Sequence, residues 1–308
     1  ERELVREWGS IEFASYRLWE RAARRLAAQE GRRIACVIYP FENQPWEKLL
    51  CLAFRREAPG VRLLGYQHAA VDALWLSYGL GKGEAERSPL PDYVVTNGPW
   101  AQEYLARWGM PSSRLVNGGA LRYEHLFALA AEQRNGAAAS PGRRVVVALP
   151  MMPEPAAQLL RAVAEAIREP SSVECVVKCH PQLPAFRLPG ASGRFRFSEQ
   201  PLNELLRTAD AFIYAPPSTA GWEAYLMGLP VLKYCDGGLD IDSSEALGSG
   251  VRRCTDETLR SQLDAALQRR EEPNGSSDRQ QALHRVFSPV DERVWQELVK
   301  GSHATRQH

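Results

Sequence analysis

The residues with the most chemistry to offer stand in two groups. In the latter half, Val176-Val-Lys-Cys-His-Pro181 brings Lys178, His180 and Pro181 to the end of an apolar run. Ser218-Thr-Ala-Gly-Trp-Glu223 follows a second apolar run, Ala211–Tyr214. A lysine supplies a point charge and an imidazole a donor. A hydroxyl pair where a helix begins leaves free backbone N–H groups beside the positive end of the dipole, which suits a phosphate. Glu223 falls four residues after Thr219 and five after Ser218, outside the three-residue spacing of a capping box. One turn into the helix, it is placed to accept ribose hydroxyls. In the first half, Pro40-Phe-Glu-Asn-Gln-Pro-Trp-Glu47 lodges Glu42, Asn43 and Gln44 between an apolar strand and an amphipathic helix, and Gly65-Tyr-Gln-His68 ends the next strand. A carboxylate beside a neutral imidazole is an acid/base pair, with Glu42 as general base or nucleophile. Asn43 and Gln44 would bond sugar hydroxyls.

Each group also has a plainer reading. Ser218 or Thr219 could serve only as an N-cap, and His180 could fill a strand-end turn. Residues 42–47 could be a solvated loop with Glu47 at a favourable helix start. Arg122, in Gly118-Gly-Ala-Leu-Arg-Tyr123, is either a reach toward a donor phosphate or a surface arginine. Asp236-Gly-Gly and Asp240-Ile-Asp242 read as a polar loop rather than a metal site, since Asp and Gly are default turn residues.

The elements that must position these residues alternate between strand and helix, which implies parallel sheets with crossover connections. The first block has a helix to about residue 29 and strands over 34–39, 62–66, 93–96 and 115–117. Helices over 45–56 and 99–108 come between them. Residues 132–142 (EQRNGAAASPG) have linker composition. A second series follows: strands 144–149, 173–178, 211–214 and 231–234, with helices 155–168, 202–208, 220–227, 256–270 and 279–300. The expected fold class is α/β, two Rossmann-like parallel-sheet domains facing across a cleft. Residues 1–135 form the first domain, short enough to be truncated at Glu1, and 143–308 the second.

Composition bounds the partners. Formal net charge is +1, from 38 Lys and Arg against 37 Asp and Glu in 308 residues. No global field exists to hold nucleic acid or an anionic membrane, so any anion needs a local site. No apolar run approaches the roughly 20 residues that span a bilayer, and the charged amino end is no signal peptide. The six cysteines read as reduced thiols of a cytosolic protein. Trp8, Tyr16, Trp19, Arg24 and Arg25 on the first helix either touch a membrane or pack on their own domain.

His180-Pro181 followed by Ser218-Thr219 resembles the His-Pro and Ser-Ser/Thr motifs of bacterial sialyltransferases and related GT-B enzymes that use CMP-activated sugars. CDP-glycerol-using wall-polymer transferases carry a similar pair. The resemblance implies a GT-B-like fold, with residues 1–135 as the acceptor and catalytic domain and 143–308 as the nucleotide-sugar domain, in which His-Pro contacts the nucleotide and the hydroxyls hold its phosphate. The Asp/Glu-Asp/Glu-Gly element that carries the base in sialyltransferases has no counterpart in the first block, where Glu42 in Glu-Asn-Gln stands nearest. Pro40–Glu47, Gly65–His68 and Gly118–Tyr123 resemble bacterial surface-carbohydrate biosynthesis proteins, implying lipopolysaccharide or capsule assembly. The function expected is glycosyl transfer from a nucleotide sugar, a CMP-activated ulosonic acid such as Kdo or a sialic-acid-like sugar, onto a surface glycan or glycolipid. No metal or further cofactor is required, because CMP carries one phosphate. The location expected is cytoplasmic, or peripheral to the inner membrane with contact to an assembly complex. The alternatives are a CDP-alditol phosphotransferase, a UDP-sugar 2-epimerase and a non-catalytic GT-B-like scaffold.

Overall fold

The structure is a computed structural model of the chain. It describes residues 10–71, 75–131, 143–167, 172–184, 186–187, 193–216, 218–235, 250–268 and 276–301, with Gly237, Asp240, Asp242, Ser244 and Leu247. The expected linker at 132–142, Trp8 and Asp236 lie outside them.

The chain divides into two compact units. The first takes Glu1–Val71, Trp75–Glu124 and everything from Arg285; the second holds His125–His284. Helix α1 (Ile11–Glu30) opens the first unit, with Ser10 accepting the Phe13 N–H at 3.1 Å as its cap. Strand β1 (Cys36–Pro40), helix α2 (Pro45–Glu57), β2 (Arg62–Gln67), β3 (Tyr93–Thr96), α3 (Pro99–Arg107) and β4 (Leu115–Asn117) follow. Proline starts both α2 and α3, where its missing N–H costs nothing. The strands pair in parallel in the order β1-β2-β3-β4. Cys51, Phe54, Leu63, Val94 and Leu105 bury one face of this sheet; Leu64, Tyr66, Val95 and Leu298 bury the other.

The second unit runs α4 (His125–Ala131), β5 (Arg143–Ala148), α5 (Pro153–Ala166), β6 (Val173–Lys178), β7 (Arg196–Phe197), α6 (Leu202–Arg207) and β8 (Ala211–Tyr214). It goes on with α7 (Ala220–Leu226), β9 (Val231–Tyr234), β10 (Val251–Cys254), α8 (Leu259–Gln268) and α9 (Ser276–Val286). Its six strands are all parallel, in the order β7-β6-β5-β8-β9-β10. Numbered along the sheet's own strands this is 3-2-1-4-5-6, the Rossmann arrangement, whose direction of winding reverses between β5 and β8. Val145, Val146 and Val147 and all four residues of β8 are buried. That explains why these strands read as unbroken apolar runs rather than alternating ones.

Two expectations for the carboxyl end are corrected. A single helix over 279–300 is interrupted, because Pro289 cannot continue it. Ser288 instead donates its N–H to Asn97 O and accepts the Ala120 N–H through its carbonyl. Nor does the second unit extend to 308. Helix α10 (Glu292–Lys300) belongs to the first, where the Trp295 ring meets Tyr66 edge-on at 5.5 Å and its indole N–H donates to Gly118 O at 2.8 Å. Arg62 caps the last turn of α10 through the Leu298 and Val299 carbonyls. All six cysteines are free, with Cys36 and Cys179 half-buried and the others buried. No helix among the described residues is long and apolar enough to cross a membrane.

Candidate functional site

In a parallel sheet every strand delivers its following loop to the same edge, so the carboxyl edges collect the residues singled out by sequence. At the edge of the first sheet, the Phe41 N–H still bonds Tyr66 O at 2.8 Å, and the chain then turns sharply. Asn43 sits at φ 58, a left-handed conformation that Asn tolerates better than most residues. Glu47, at the third position of α2, holds the turn by accepting the N–H groups of Glu42 (2.9 Å) and Asn43 (3.0 Å). This is a capping interaction extended outside the helix. Asn43 is buried and donates to Ser77 O at 2.6 Å; Gln44, the N-cap residue, is half-buried and makes no side-chain cap bond.

The turn presents the half-buried Glu42 carboxylate 3.7 Å from Nε2 of His68, which stands directly after β2. Burial lowers the His68 pKa; the Glu42 carboxylate pulls it back up and the Arg122 guanidinium lowers it again. The imidazole is therefore neutral near pH 7 and able to take a proton, with a carboxylate beside it to stabilise the cation that results. Arg122 is exposed, 5.7 Å from the Tyr123 ring centroid. Burial pushes Glu47 up to about 7 against the pull of its N–H donors.

Three buried polar residues at this edge escaped the sequence reading as site members: Glu47, Gln67 and Asn97. Gln67 and Asn97 both donate to Ala69 O, Asn97 at 3.0 Å. Their signal was a polar residue closing an apolar strand, in Gly-Tyr-Gln-His and Val-Val-Thr-Asn.

At the edge of the second sheet, β6 and β8 flank β5, so Lys178–Pro181 and Ser218–Thr219 emerge on one edge, about 10 Å apart at strand spacing. They bracket the point where the winding reverses. Lys178 donates to Glu199 O at 2.9 Å. Nδ1 of His180 accepts the Gln182 N–H at 3.2 Å, so the neutral ring carries its proton on Nε2, and burial lowers its pKa. Pro181 is exposed. Ser218 Oγ accepts the Ala220 N–H at 3.2 Å, while Thr219, the N-cap residue of α7, makes no side-chain cap bond. Glu223 does not cap α7. Burial raises its pKa, opposed by His125, whose Nε2 lies 4.0 Å away.

After β9, Asp242 is a buried group rather than the solvated turn residue expected. Asp242 is 5 % exposed, because Tyr214 donates to its Oδ2 at 2.6 Å and Ser244 bonds it through both N–H and hydroxyl. Lys233 lies 2.9 Å from Asp240 and 3.9 Å from Asp242. A buried carboxylate is tolerated when its lone pairs are satisfied in this way. Among the described residues no three His, Cys, Asp or Glu side chains are grouped to hold a metal ion.

No family model and no curated protein sequence matches the chain. Solved structures do. The UDP-N-acetylglucosamine 2-epimerase of Rickettsia bellii superposes with a TM-score of 0.59 at 13% identity, over 96% of this chain and 80% of the other. The UDP-GlcNAc 2-epimerase of Methanocaldococcus jannaschii, in complex with UDP-GlcNAc and UDP, gives 0.54 at 13% identity, over 85% and 77%. A glycosyltransferase from Rickettsia africae gives 0.52 at 10% identity, over 92% and 79%. The chain has a GT-B-like fold of two Rossmann-like parallel sheets. At these identities the likeness speaks for the fold, and the residues must speak for the chemistry.

Proposed function

We propose that the protein is a nucleotide-sugar enzyme that transfers a sugar onto a glycan or glycolipid acceptor. The observation that carries this reading is the Glu42–His68 pair at 3.7 Å on a strand-end edge. Glu42 and the neutral His68 take the proton from the acceptor hydroxyl; Asn43, Gln44 and Arg122 orient the sugars. The Ser218 and Thr219 hydroxyls take the phosphate, Lys178, His180 and Pro181 frame the nucleotide, and Glu223 accepts ribose hydroxyls. For the nucleotide we favour UDP over the CMP of the sequence resemblance. Support comes from the M. jannaschii structure, which holds UDP-GlcNAc and UDP.

A second reading is 2-epimerisation of a UDP-sugar, favoured by the epimerases among the structural neighbours. The same pair would then move a proton at carbon rather than at an acceptor oxygen. Isothermal titration with UDP, CMP, CDP and GDP, followed by turnover of the matching sugar nucleotide with and without acceptor, decides the matter. Turnover without acceptor replaces transfer by epimerisation. Failure of all four nucleotides to bind removes both readings and leaves a scaffold.

A further inference from the structure

Helix α1 is two-faced in a way the candidate site does not use. Its inner face packs on α2: Ala23 and Ala27 are buried, and Arg24 pairs with Glu57 at 3.1 Å. Its outer face repeats at 11, 15, 18, 22 and 26, one stripe at helical spacing, and every residue of that stripe is exposed. Ile11 is 78%, Leu18 66% and Leu26 46% exposed. Trp19, 51% exposed, borders the stripe with one side of its indole 5.5 Å from Trp46. Beside it runs a second ridge at four-residue spacing, Arg17, Arg21 and Arg25, all exposed, with exposed Arg32 and Arg33 just beyond the helix. Arg17 is bonded to Glu20 at 2.7 Å and Arg33 to Glu30 at 3.4 Å; among the described residues neither Arg21 nor Arg25 is in an ion pair. Twenty residues make this face about 30 Å long.

We propose that the outer face of α1 docks the protein on an anionic phospholipid surface. The occupant follows from charge. An apolar stripe alone would suit many partners. A parallel row of arginines, in a chain whose net charge is only +1, marks a local field for an anionic plane. Leucine and isoleucine side chains enter the acyl boundary, the indole of Trp19 sits at headgroup level, and the arginines bond lipid phosphates while their stems stay with the apolar stripe. This holds whichever sugar reaction the protein performs.

The test is co-sedimentation of the full chain with vesicles of phosphatidylglycerol and phosphatidylethanolamine, and with phosphatidylcholine vesicles as the neutral control. Leu18→Ser/Leu26→Ser and Arg21→Gln/Arg25→Gln are exposed changes, checked by circular dichroism and by nucleotide titration. Each arginine near an anionic surface is worth roughly fivefold. The arginine variant should bind the anionic vesicles about 25-fold more weakly, and the leucine variant should lose both binding and the fluorescence blue shift of Trp19. No binding to anionic vesicles overturns the proposal, as does binding that both variants keep. So does a concentration-dependent dimer that Leu18→Ser/Leu26→Ser abolishes, which would assign the face to a second copy of the chain.

Discussion

Glu47 gives the sharpest test of how the first sheet edge is built, through Glu47→Gln. The carboxyl is 2% exposed and its pKa rises from near 4.5 to about 7, chiefly because burial disfavours its charge. A buried acid whose folded pKa is raised binds more protons folded than unfolded between those two values, so stability falls as pH rises through that window. Each pKa unit is about 1.4 kcal/mol, so Glu47 should cost about 3 kcal/mol on going from pH 4.5 to 8. Glutamine resembles the protonated acid. It carries no charge, and its single oxygen keeps only one of the two N–H bonds, since the Glu42 and Asn43 N–H groups bond different carboxylate oxygens. The stability of the variant relative to wild type should therefore rise by about 3 kcal/mol between pH 4.5 and 8, from a starting point lowered by the lost N–H bond. Urea unfolding at half-unit pH steps measures this, and taking the difference between the two proteins cancels every other titrating group. Six of the seven tryptophans among the described residues belong to the first unit, so intrinsic fluorescence reports on it. Parallel stability profiles would refute the reasoning. A variant that loses ground as pH rises would show that the two N–H bonds outweigh burial.

Three further outcomes follow from the same geometry. Glu42→Gln should lower transfer by about 10²–10⁴-fold while titrated nucleotide affinity stays within twofold; full activity would remove Glu42 from the chemistry. Because burial lowers the His68 pKa, the acidic limb of kcat/KM should fall below 6.5, the ordinary imidazole value; a limb above it would exclude His68 as the base. Gly119 lies at φ +87 with a would-be Cβ colliding with Pro289 O, so Gly119→Ala should cost more than about 2 kcal/mol and lower the first unit's thermal midpoint by several degrees.

Much of the fold was legible because buried parallel strands announce themselves. Tyr93–Thr96, Leu115–Asn117, Val173–Lys178, Ala211–Tyr214 and Val231–Tyr234 appear with the bounds read from sequence, each an apolar run closed by turn residues. Strand β10 went unseen, since Val-Arg-Arg-Cys at a sheet edge carries two arginines and no apolar run. The destination of Trp295 was not readable either. Its partners Tyr66 and Gly118 are fixed by tertiary contact, and nothing local to residues 285–301 names them. The approach of Glu42 to His68 was legible, because consecutive strand ends of a parallel sheet are neighbours. The burial of Asp242 was not. Besides its neighbour Ser244, that buried Asp is held by Tyr214, 28 residues away, which nothing local to the turn names.

On the proposed function, the first sheet edge also constrains the charge of the sugar. Its negative charge comes from the half-buried Glu42 carboxylate, with Glu47 behind it, and Asn43 Oδ1 and Gln67 Oε1 are buried without a hydrogen-bond partner. Such an edge favours hydroxyl donors and repels a second carboxylate. At an effective dielectric constant near 20, two carboxylates 5–6 Å apart repel by about 3 kcal/mol, on the order of a hundredfold in affinity, of which Arg122 offsets part. A ulosonic acid brings that carboxylate; a hexose does not. UDP-glucose should therefore bind at least tenfold more tightly than UDP-glucuronate in titration, and Glu42→Gln should narrow the gap while leaving UDP itself unaffected. Equal affinities, or a preference for the glucuronate, would show that Arg122 rather than Glu42 sets the field there and would restore an acidic sugar as the substrate.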